Sequence, residues 1–179
     1  PRFRCTPLVK LGLTPNALTY GTIGMNNEAQ VVYGYLPPSE SNITAWLWPH
    51  VGDYSQTAGF HELRDISSTD APDPCLAREI NEAGYIGGVS DGLTTSSRDA
   101  TVWNMGSSAA YTTPGLSLVS EAFSVNDDSP PKLTGWRTVT DECQTGIKIT
   151  LAFRWELTGG SGTVTNLSPG SPYSSGRCI

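Results

Sequence analysis

Side chains able to do chemistry are sparse in this 179-residue chain, and the acids are the first to weigh. They come in three close sets: Asp127 with Asp128, Asp70 with Asp73, and Asp141 with Glu142. Glycoside hydrolysis needs two carboxylates about 5 to 9.5 Å apart, whereas neighbouring acids in loops usually serve as solvated turn residues. No DxDxDG loop suited to calcium occurs. The two histidines are His50 and His61, so a Ser-His-Asp triad would have to recruit one of them and a distant serine. Two histidines without companion cysteines or carboxylates do not describe a zinc site either, and no phosphate loop or dinucleotide fingerprint is present. The expectation is a chain with no catalytic residues, no metal and no cofactor.

Cysteine and asparagine chemistry points elsewhere. Cys5, Cys75, Cys143 and Cys178 are an even number without CxxC spacing, which suits two disulfides in an oxidising compartment. Three pairings are open, and Cys5 with Cys178 plus Cys75 with Cys143 is the one favoured, since it ties the termini and joins loops of successive units. Two sequons, Asn42-Ile43-Thr44 and Asn166-Leu167-Ser168, mark Asn42 and Asn166 as glycosylation candidates in a secreted chain.

Composition agrees. Only 16% of residues are charged, 19 are Gly and 13 are Pro, and the net charge is −6 with 11 basic residues. Such a balance excludes the clustered Lys and Arg of a nucleic-acid footprint. No run approaches the roughly 18 apolar residues of a membrane span, and the start at Pro1 fits a removed targeting segment or a fragment of something longer. The expected class is a secreted or cell-surface β-protein.

The elements that would position these residues repeat. NEAQVVYGY at 27 to 35 is echoed by NEAGYIGGV at 81 to 89, with 54 positions from Asn27 to Asn81 and 55 from Trp48 to Trp103. A worn third copy carries Ala122, Val125 and Asn126 in place of Ala77, Ile80 and Asn81, and AFRW at 152 to 155 in place of ATVW. Its gap from Asn126 to Ala152 is 26 residues against 19 from Asn81 to Ala100, which reads as an insertion containing Cys143. Repeats of this length mean units that bury their apolar faces against neighbours.

Units of residues 12 to 66, 67 to 119 and 120 to 179 follow, with an extra strand at 8 to 11. Alternation and turn residues predict strands at 29 to 35, 43 to 48 and 60 to 66 in the first, and at 85 to 89, 99 to 103 and 116 to 119 in the second. In the third, Ile147, Ile149, Leu151, Phe153 and Trp155 share one face of a strand, and 163 to 167 form another. Proline punctuates nearly every gap, so no long helix is expected. Trp48, Trp103 and Trp155 recur at one position and are expected as packing plugs. Trp46 and Trp136 lie off that register and are the candidates for stacking on a glycan.

With those residues in view, the unit resembles the HAF repeat of extracellular proteins, whose pattern runs Ala-x-x-Ile-Asn, then Gly, Val-Val-Gly, Ala-Phe-x-Trp and a Leu-Gly strand. AREINEAGYIGG at 77 to 88, NEAQVVYG at 27 to 34, AWLW, ATVW and AFRW carry it, with VKLG and VTNL near the ends. The third unit departs from it at Ser129, where Gly is expected. The resemblance implies an all-β array of tandem repeats of about 52 to 55 residues, propeller-like or related, open or completed by other chains. It brings no catalytic residues. The expected role is a structural or assembly protein whose copies pair strands at residues 8 to 11 or 147 to 167; a glycan-binding module is the alternative, and a secreted hydrolase the third reading.

Overall fold

The computed structural model describes residues 18–28, 30–36, 44–48, 61–63, 75–91, 98–104, 107–112, 119–140, 148–158 and 162–167. Regular structure there is all β. The first sheet contains β1 (Leu18–Met25), β2 (Val31–Leu36), β3 (Thr44–Trp48) and β4 (His61–Leu63). The second contains β5 (Cys75–Ile80), β6 (Tyr85–Asp91), β7 (Arg98–Asn104) and β8 (Ser107–Thr112). The third contains β9 (Ser120–Val125), β10 (Lys132–Thr140), β11 (Lys148–Glu156) and β12 (Thr163–Asn166). In each, strands lie in chain order and pair antiparallel, giving three four-stranded meanders.

The second sheet lies between the other two. One core joins Val32 and Leu63 of the first sheet to Cys75, Ala77, Ile80, Ile86 and Trp103 of the second. The other joins Ala100 and Val102 of the second to Ala122, Val125, Leu133, Phe153 and Trp155 of the third. Strand β7 therefore buries Trp103 in one direction and Ala100 and Val102 in the other. That is why ATVW is a run of buried residues without polar alternation, the pattern of a strand covered on both faces. In strand β11 Leu151, Phe153 and Trp155 are buried on one face as expected, while on the other Lys148 and Arg154 are exposed and Ala152 is buried.

The first two sheets each have one strand more than the three expected per unit, and the third has two more than the two expected. Strands β5 and β9 read CLAREI and SEAFSV, whose interspersed charges and hydroxyls hide the period of two. A bulge breaks it further. The ladder passes from Ala77 to Glu79 and from Ala122 to Ser124, leaving Arg78 and Phe123 as the extra residues. Gly88 and Gly135 face these bulges, and a Cβ on either would run into the carbonyl oxygen of Leu76 or Glu121. Of the strand expected at 116 to 119, residues 116 to 118 lie outside the described residues and Val119 lies outside any strand; the fourth strand of the second sheet is Ser107–Thr112. SSAAYT has little apolar bulk, so its pairing with β7 rather than its own composition makes it a strand. The expected strand at 8 to 11 lies outside the described residues.

Candidate functional site

The turn joining the first and second strands is built the same way in all three sheets. In the second sheet the Asn81 N–H donates to the Tyr85 carbonyl at 3.0 Å, and the Tyr85 N–H returns a bond to Asn81 Oδ1 at 2.7 Å. Gly84, at φ 79°, closes the turn by donating to the Asn81 carbonyl at 3.1 Å. Asn26 makes the same two bonds with Gln30, at 3.2 and 3.1 Å, and Asn126 makes them with Lys132, at 3.0 and 2.8 Å. Asparagine suits this place because its side-chain oxygen can replace a backbone acceptor two to four residues on.

The side-chain amides then tie the sheets together. Asn26 Nδ2 donates to the Asn81 carbonyl at 3.1 Å, and Asn81 Nδ2 donates to the Asn126 carbonyl at 2.7 Å. A second row runs beside the first: the Asn27 N–H meets both carboxylate oxygens of Glu82 at 3.0 and 3.1 Å, and the Glu82 N–H meets Asp127 Oδ1 at 2.8 Å. Asn26 and Asn81 are buried, so the amide bonds of the first row are shielded from competing water, whereas the second row is exposed. Nearby, Glu79 Oε2 accepts from the Val125 N–H at 3.1 Å, and Arg78 forms an ion pair with Glu121 while lying 5.7 Å from the centre of the Phe123 ring.

This row corrects the register of the repeat by one residue. Asn26, not Asn27, is the counterpart of Asn81, and because Val31 faces Trp48 as Ile86 faces Trp103, Tyr33 rather than Gly34 is the counterpart of Gly88. A slip of one would turn every side chain of β2 to the opposite face. The extra length of the third copy falls in two places. Asn126 stands seven positions before Leu133 where Asn81 stands five before Ile86, and the rest lengthens the next hairpin, chiefly in its strands, since β10 and β11 have nine residues each against seven in β6 and β7.

The sequence-derived candidates fall as follows. Trp103 and Trp155 are buried between sheets, as expected of plugs. Trp48 and Trp46 lie on β3 opposite Val31 and Tyr33, their side chains outside the description. Trp136 is half-buried on β10, opposite Glu121 and Ala152, on the face of the third sheet turned away from the second. Asp127 serves the row just described. Asp128 accepts from Lys132 Nζ at 2.5 Å, and that bond, with a further one from Asn126, holds its carboxyl below the ordinary range. Cys75 is buried at the start of β5 with its sulfur 3.6 Å from the Leu63 carbonyl. Asn166 lies on β12, its Oδ1 accepting from Arg137 Nε at 2.9 Å. His61 lies on β4 opposite Leu47. Cys5, Cys143, Cys178, Asn42, His50, Asp70, Asp73, Asp141 and Glu142 are outside the described residues. Among the described residues no three His, Cys, Asp or Glu side chains gather as metal ligands.

One motif escaped the sequence reading. Gly88-Val89-Ser90-Asp91-Gly92 spells GxSxG. A nucleophile elbow exposes its serine on a strand-to-helix turn. Ser90 instead lies within β6, fully buried, with Cys75 on one side and Asp99 on the other.

Asp99 is itself out of place. Its Oδ1 is buried and makes no hydrogen bond, and burial pushes its carboxyl pKa up. The folded protein therefore holds the proton more tightly than the unfolded chain, so the penalty is absent below the ordinary carboxylate range and grows as pH rises through the raised value. Asp99→Asn is expected to raise the melting temperature at pH 7 and to flatten the stability gain that the parent shows on acidification. An unchanged pH profile in thermal melts would contradict this.

Compared with protein-family models, curated proteins and solved structures, the chain gives no match.

Proposed function

We propose that the chain is a secreted, non-enzymatic structural protein of the cell surface that works by association of its copies, its sheets being successive blades of a propeller-like array. The observation that carries this reading is the interlocked turn. One linking device, with the same donors and acceptors, joins the first sheet to the second and the second to the third. Repetition of a link between neighbouring units is what a stack of modules needs in order to extend. Propellers use about four to eight blades, so three such sheets call for further units to close a ring. The resemblance to HAF repeats, the four cysteines and the two sequons support an extracellular setting.

Sedimentation and light scattering across a range of concentrations test the reading. The expected result is a mass rising above that of one chain. A compact monomer persisting at high concentration would remove it.

The glycan-binding alternative draws on Trp136, whose half-buried ring shares a sheet face with exposed Arg154. A glycan array run with the parent, Trp136→Ala and Trp46→Ala separates the two. Tryptophan-dependent sugar binding by a monomer would favour the alternative over assembly.

A further inference from the structure

We draw no further inference here: the strongest candidate, the side-chain row of Cys75, Ser90 and Asp99 across β5, β6 and β7, has Cys75 and Ser90 closed off in the core, and its buried Asp99 Oδ1 supports only the dependence of stability on pH already described.

Discussion

Truncating Trp103 to alanine should lower the unfolding free energy by about 3–5 kcal/mol, the range for deleting a large buried aromatic. The ring is 2% exposed and sits in the core between the first and second sheets, so its loss leaves a cavity that rigid strands on both sides cannot close. Small domains are stable by only about 5–15 kcal/mol, so this one change is expected to bring the transition close to ambient temperature. Trp136→Ala is the matched control. Its ring is half-buried on an outward face, and the loss there should be well under half as large. Denaturant titration measures both, and equal losses would contradict the placing of Trp103 as the plug between sheets.

Asn81→Asp is expected to cost about 2–4 kcal/mol at neutral pH, because it sets a buried carboxylate oxygen against the Asn126 carbonyl where an amide had donated at 2.7 Å. The turn itself is spared, since the remaining oxygen still accepts from Tyr85. The penalty should have a pH signature. Burial beside a carbonyl raises the pKa of the introduced carboxyl, and its protonated form can donate in place of the amide. Stability is thus regained as pH falls through that raised value and is lost again as pH rises. A loss at Asn81 that does not depend on pH would remove the link between sheets as the cause.

Much of this architecture is legible in the residues, and the failures have physical causes. The third strands of the second and third sheets are plain because ATVW and AFRW carry the bulk that fills the cores. The first strands are not, because Arg78, Glu79 and Glu121 are spent on contacts between sheets rather than on solvent, so their charge misleads a reading by hydropathy. Asn27 offers the better sequence match to Asn81 since both precede Glu and Ala, yet the backbone places Asn26 there. No local pattern reveals that choice, because the deciding bonds join residues 55 apart. The same holds for Asp127 and Asp128. Their adjacency suggests paired catalytic acids, whereas one accepts from the neighbouring sheet and the other from Lys132. Ser90 shows the converse, a motif whose letters are right and whose strand setting is not that of an elbow.

Electron microscopy across a range of concentrations tests the central claim most directly, that copies of this chain associate into an array of repeated units. The account predicts closed rings or filaments built from several chains. Isolated single chains at every concentration would contradict it.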